Sequence, residues 1–144
     1  MNQYAIPDEG LPGAVDTLVR AGLILDQPLE LRLFVNDLVP LRGTTLADYV
    51  EATFAGYSRR TLERGDWNVA ELGADHVARI TRAGGPESYM PEAGGETVYG
   101  CYLVDIDAGV VRWQGRFATP KEVAAGEGFK VNPVITGRAV VSVV

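Results

Sequence analysis

The stretch TVYGCYLVDIDAGVVRWQGRF, residues 97–117, constrains the fold of this chain more than any other segment. Its side chains alternate with period two on both sides of DIDAG. Val98, Tyr102 and Val104 fall on one face of the first arm, with Tyr99, Cys101 and Leu103 on the other. In the second arm Val111, Trp113 and Phe117 share a face opposite Arg112, Gln114 and Arg116. That repeat belongs to β-strands, since a helical face needs a period near 3.6. Between the arms, Asp105 and Asp107 offer carboxylates to backbone N–H groups and Gly109 accepts positive φ, which is turn chemistry. A β-hairpin is predicted. Its first arm, apolar on both faces, belongs inside a sheet, and its second keeps one wet face.

Two ligand readings of the same residues compete with this one. Asp105 and Asp107 resemble the start of a calcium loop, but an EF-hand needs Gly at its sixth position and Glu at its twelfth. Gly109 falls fifth and Arg116 twelfth, so no metal is expected here. Trp113 and the tyrosines could stack on a sugar or a base, although large aromatics in strands mostly serve as core.

The rest of the chain follows the same pattern of short extended pieces. Residues 1–10 read as an arm, and Pro12 opens a short helical pattern stopped by Gly22, with Leu11, Val15, Leu18 and Val19 spaced for one face. LELRLFV, residues 29–35, alternates as a half-buried strand. TLADYVEATF allows either one helical turn capped by Thr44 or Thr45, or β structure. Residues 53–62 have strand content with Gly56 as a bulge candidate, Trp67 and Val69 form a brief extended piece, and 76–82 alternate again. The Gly- and Pro-rich segment 83–96 is predicted to be the longest loop. Further strands are expected near 129–134 and 138–143. The expectation is a mainly β chain: an arm and short N-terminal helix over 1–25, then a single antiparallel β-sandwich over 26–144, of jelly-roll or Greek-key type.

At 144 residues the chain can bury a core without a disulfide or metal staple, and its 47% hydrophobic and 22% charged residues are those of a soluble globule. The net charge of −6, without a Lys/Arg block, argues against nucleic acid as a partner. The opening MNQYAIPDEGLPG lacks the pattern of a signal peptide and no segment reaches the length of a membrane span. Synthesis in a cytoplasm and a soluble product are expected, with no membrane partner.

The residues that would signal catalysis are sparse. With His76 as the sole histidine, one chain cannot supply a multi-histidine metal site. Serine elbows, Walker loops and dinucleotide fingerprints are missing from the sequence. A Cys101–His76 pair stays open, while the mid-strand place of Cys101 reads as a buried, inert thiol. No catalytic, cofactor-binding or metal residue is assigned, and the chain is expected not to be an enzyme.

IPDEG with its helix, LELRLFVNDLVP, TTLADYVEATFAGYSRRTL, then TVYGCYLVD, VVRWQGRFATP and VNPVITGRA resemble, in order and spacing, a family of small tailed-phage virion structural proteins. The likeness covers roughly residues 5 to 139. The chain departs from the family pattern at Asp37, where a second Asn is common, and at Arg59–Arg60. The resemblance implies a bacteriophage virion location, after synthesis in the host cytoplasm, and a role as a capsid decoration (cement) or head-fibre subunit on the capsid exterior. Its partners would be the major capsid protein or other virion proteins, with a homotrimer expected. Candidate interface residues are Tyr4 and Ile6 in the arm, which could equally cover the chain's own core, and Tyr89 and Met90 in the long loop. The rival reading is a tail-associated or prophage-derived carbohydrate-binding adhesion module using exposed aromatics such as Trp67 and Tyr89.

Overall fold

LELRLF forms a strand because its leucines alternate with Glu30 and Arg32, and in the computed structural model it is β1 (Leu29–Phe34). The structure describes residues 28–75 and 77–138. After β1 come β2 (Arg60–Leu62), β3 (Glu71–Leu72), β4 (Val77–Ile80), β5 (Glu87–Tyr89), β6 (Thr97–Asp105), β7 (Val110–Glu122), β8 (Phe129–Val131) and β9 (Ile135–Arg138). Every named strand pair is antiparallel. Among the described residues the protein is mainly β, its helical content limited to 3-10 turns at Leu46–Asp48 and Arg64–Asp66. None of these is long and apolar enough to cross a membrane. The expected N-terminal helix, Tyr4, Ile6, His76 and residues 139–143 of the expected last strand lie outside the described residues.

The chain divides into two compact units. The larger takes Pro28–Leu62 and Pro86–Pro133 and holds a sheet ordered β2-β1-β6-β7, together with the β5-β8 pair. Partners in an antiparallel ladder share a face, so register defines both sides of this sheet. Leu31↔Leu103 and Leu33↔Cys101 place a continuous apolar layer on one face. On the other, Arg32↔Tyr102 and Phe34↔Gly100 set an aromatic surface. As predicted, β6 is internal and buried on both faces, and β7 is partly wet; however, Val111 stands opposite Val104 and Trp113 opposite Leu103, so a bulge puts them on opposite faces and not on the shared face expected.

The aromatic face is covered by the chain itself. Val35 N–H donates to the Val50 carbonyl (2.8 Å) and Ala52 N–H to that of Leu33 (2.9 Å), so 50–52 return alongside β1. The intervening flap, residues 36–49, packs Leu38, Leu46 and Tyr49 on Phe34, Tyr102 and Val104. Tyr49 stacks on Tyr102 with ring centroids 4.2 Å apart and meets Phe34 edge-on at 5.1 Å, geometries that add to simple burial. The predicted helical turn is there as the 3-10 turn at Leu46–Asp48, where Thr45 N–H donates to Asp48 Oδ2 (2.7 Å).

The hairpin closes as its chemistry requires. Gly109 has φ 66° and donates its N–H to the Asp105 carbonyl (2.9 Å), while Asp105 Oδ1 accepts from Ala108 N–H (3.1 Å). A register shift between Leu103 and Val104 leaves Arg112 as the extra residue of a bulge, where it reaches Asp105 Oδ2 at 3.0 Å.

Two expectations are corrected. Only Arg60–Leu62 of the expected 53–62 strand is extended in a ladder; Gly56 (φ 92°) sits in a turn, and Ala55 instead accepts from Glu92 N–H (2.7 Å). The expected loop 83–96 contains β5, which exists because Glu87–Tyr89 finds Phe129–Val131, a non-local pairing that local composition does not encode.

The smaller unit includes Glu63–Gly85 and residues 134–138 of the described chain. It carries a sheet ordered β3-β4-β9 around Ile80, extended by a bridge between Trp67 and Arg82.

Gly100 is where the sheet tolerates least change. A Cβ there would stand 2.2 Å from the Gly115 carbonyl oxygen and 2.6 Å from the Phe34 ring. Gly100→Ala is expected to cost about 1–3 kcal/mol. Gly43→Ala, which meets nothing within 4 Å, should stay within about 0.5 kcal/mol of the wild type. Urea denaturation of both variants checks the contrast.

Candidate interaction site

Charge collects along the flank of β1. Arg59 holds Glu51 through Nε (2.8 and 3.1 Å) and Nη2 (2.9 Å), and Tyr57 Oη donates to Glu51 Oε1 (3.0 Å). Arg32 binds Glu30 at 2.7 Å and approaches Glu51 at 3.8 Å. Tyr57 Oη also accepts from Leu33 N–H (3.3 Å), tying the network to the strand backbone. Burial raises the Glu51 carboxyl, but the hydrogen bonds from Arg59 and Tyr57 and the charges of Arg59 and Arg32 outweigh it, leaving the group below its ordinary range. A carboxylate held this way is a structural anion and a poor proton acceptor.

Beside this network lies an aromatic shelf. Tyr89 of β5 stacks between Tyr57 (centroids 6.1 Å apart) and Phe129 of β8 (5.4 Å), with the Arg60 guanidinium 4.7 Å above its ring. Arg60 Nη2 donates to the Ser88 carbonyl at 2.9 Å. Arg60 Nε and Tyr89 Oη are buried without a hydrogen-bond partner among the described residues, and burial pushes the Tyr89 hydroxyl pKa up. A cavity of about 320 Å³ opens against Ser88, Tyr89, Met90, Gly128, Phe129 and Lys130. Its floor is apolar, Lys130 is its single charged wall residue, and its size is at the bottom of the roughly 300–1,000 Å³ common for small-molecule sites. A surface of this kind can accept an apolar side chain, with a cation beside it for an acidic neighbour.

The sequence-predicted residues are thus separated. Met90 is 60% exposed, while Tyr89, expected on a loop surface, is 1% exposed because its ring is held in the stack. Trp67 is also buried, at 2%. The exposed aromatics on which the carbohydrate-binding reading rested are therefore corrected to core residues. Tyr4, Ile6 and His76 fall outside the described residues. Asp105 has its oxygens on Ala108 N–H and Arg112, which lower its pKa, as a turn residue would. Cys101 is 3% exposed, and loss of hydration pushes its thiol up to about 12. Among the described residues no group of three or more His, Cys, Asp or Glu is placed to hold a metal ion.

Sequence reasoning missed Arg60, Phe129 and Lys130. A signal existed in SYM and GFK, two short aromatic-bearing pieces each suited to a strand, but nothing local says that they pair. No family model, curated protein or solved structure matches this chain.

Replacing Glu51 by Gln leaves Arg59 and Tyr57 facing a weaker acceptor and is expected to cost roughly 1–3 kcal/mol at pH 7. A carboxyl with a lowered folded-state pKa contributes fully above its unfolded value of 4.5, and that contribution is lost as pH falls through the folded-state value. The stability gap between wild type and Glu51→Gln should therefore narrow as pH falls below 4.5 in urea titrations. Cys101 should resist a thiol reagent at neutral pH in the folded protein and react promptly in denaturant, since the thiolate is the reactive form; rapid labelling without denaturant would contradict its burial.

Proposed function

We propose that this chain is a non-enzymatic bacteriophage virion protein, a capsid decoration or cement subunit, or a head-fibre subunit, that binds the capsid exterior as a homotrimer. The order of sequence motifs supports the virion location. The observation that carries a binding role is the flap: its backbone is pinned while Val39 and Leu41 at its tip stay wet. Arg116 Nη1 donates to the Leu38 carbonyl (2.9 Å), Gln114 Nε2 to that of Leu41 (2.8 Å), and Leu41 N–H to Thr44 Oγ1 (2.9 Å). Asn36 bridges to Asp48 and Val50 at the base. Val39, Leu41 and Val50 nevertheless remain 61%, 67% and 55% exposed. A loop that is ordered before contact loses little entropy on binding, and exposed apolar groups on such a loop suit protein recognition. The charged residues of the larger unit meanwhile hold strands and turns together, which is the chemistry of a scaffold.

For the fold in finer detail we propose a β-sandwich in the larger unit. By register Arg60 shares the face of Leu31 and Leu103, and its guanidinium lies over Tyr89. The β5-β8 pair therefore serves as the second layer over the apolar face, with the flap over the other.

Mass spectrometry of purified particles from the encoding phage is expected to find the protein in many copies per head, and the purified chain should cosediment with particles lacking it. A protein missing from particles and unable to bind any virion part would refute the proposal.

A further inference from the structure

We propose that the recess between the flap and β7 binds a carboxylate, and that its occupant is an acidic segment of a protein partner. This rests on the reading of the flap as a binding surface and names the chemistry of what it meets. The recess, about 100 Å³, is walled by Arg42 and Thr44 of the flap and by Val111, Arg112, Trp113 and Gln114 of β7. At roughly 30 Å³ per water in the liquid, it has room for one small polar group and none for a nucleotide or a sugar ring.

Both side-chain oxygens on this wall already accept a hydrogen bond, whereas N–H and O–H groups remain free. The Leu41 carbonyl can only accept, so the Gln114 amide turns Nε2 to it (2.8 Å) and leaves Oε1 to the Tyr49 hydroxyl. One N–H of Nε2 is left over. Thr44 Oγ1 accepts from Leu41 N–H (2.9 Å), which leaves its hydroxyl hydrogen to donate. Arg112 directs Nε (3.3 Å) and Nη2 (3.0 Å) to Asp105 Oδ2 and keeps Nη1 free. Arg42 is exposed and makes no hydrogen bond or ion pair among the described residues. A recess of donors whose acceptors are engaged is suited to an oxyanion.

Charge selects among oxyanions. Asp105 neutralises Arg112 at 3.0 Å, so the wall carries one uncompensated cation, Arg42, and no carboxylate. One positive charge matches one carboxylate. A polyanion such as nucleic acid is opposed by the net charge of −6 on the chain as a whole. The recess is also built before contact. Thr44 N–H donates to the Leu41 carbonyl (3.1 Å), the same oxygen that Gln114 holds, so Arg42 rises from a closed turn and little backbone freedom is lost on binding. Val39 and Leu41 stand wet beside it on the same tip. A free inorganic anion makes no use of them, whereas a protein segment carrying an acidic and an apolar side chain covers both.

Nuclear magnetic resonance titration of the full chain with a blocked tetraglutamate peptide tests this, with tetraglutamine and inorganic phosphate as the comparison probes. Backbone amides at 41–44 and 111–114 should shift saturably with tetraglutamate and stay in place with tetraglutamine. Arg42→Gln should weaken that binding by at least about tenfold, and Arg42→Lys, which keeps the charge, should stay closer to the wild type. Both should keep the wild-type melting curve, because Arg42 has no partner among the described residues to lose. No shifts at these amides, equal binding by Arg42→Gln, or phosphate saturating the same amides at a lower concentration than tetraglutamate would each overturn the inference. Cosedimentation with particles separates it from the functional reading. Wild type and Arg42→Gln sedimenting alike would sink the carboxylate site and leave virion attachment standing; a tetraglutamate site in a chain that binds no virion part would do the reverse.

Discussion

The central pairing of β1 with β6 is the interaction on which the larger unit depends. Six consecutive partners, from Leu29↔Asp105 to Phe34↔Gly100, align the two strands so that one face becomes aliphatic and the other aromatic. A slip of one residue would exchange those faces and bury Glu30 and Arg32 among leucines. Gly100 makes the end of this register possible, because only a residue without Cβ lets the Phe34 ring lie against the strand beside the Gly115 carbonyl. Phe34 placed in this way receives Tyr49, and Tyr49 fixes the end of the flap. Gly115 repeats the device on the opposite face, where the Trp113 ring occupies the space that a Cβ would need.

The polar residues near this core work on the same problem. Tyr57, just after the turn at Gly56, bonds both the β1 backbone and Glu51, so an aromatic ring can enter the Tyr89 stack with its hydroxyl satisfied. Glu51 bears the desolvation and is compensated by Arg59 and Arg32, which are in turn shared with Glu30. Tyr49 does the same on the flap side, its hydroxyl donating to Gln114 while its ring stacks on Tyr102; burial pushes that hydroxyl's pKa up to about 12, so it stays a neutral donor. In each case a buried aromatic is admitted because its polar tip has a partner. Tyr89 and Trp67 break the pattern, since the Tyr89 hydroxyl, the neighbouring Arg60 Nε and the Trp67 indole N–H lack a hydrogen-bond partner among the described residues. The Tyr89 exception stands next to the cavity.

Rigidity and exposure meet in the flap. Side-chain hydrogen bonds from β7 hold its carbonyls, the Leu46–Asp48 turn anchors its return, and the aliphatic tip is left outside. Val39 and Leu41 share this exposure with Val69, Met90 and Ile106 among the described residues.

The hairpin, its turn at Gly109, the internal position of β6 and the capped turn at Leu46–Asp48 were all legible in the sequence, because each rests on contacts within a few residues: alternation, turn chemistry, a Thr beside a helical turn. Burial of Cys101 followed from the same alternation. The site was legible only at Met90. Tyr89 read as a loop aromatic because the strand that buries it needs Phe129–Val131, some forty residues on, and Gly56 read as a bulge because its backbone neighbours in the turn, Met90 and Glu92, are equally remote. Local order in this protein is written in nearest neighbours along the chain; the aromatic shelf, the charge network at Glu51 and the pinned flap are decided by pairings across long loops, whose register no local pattern specifies.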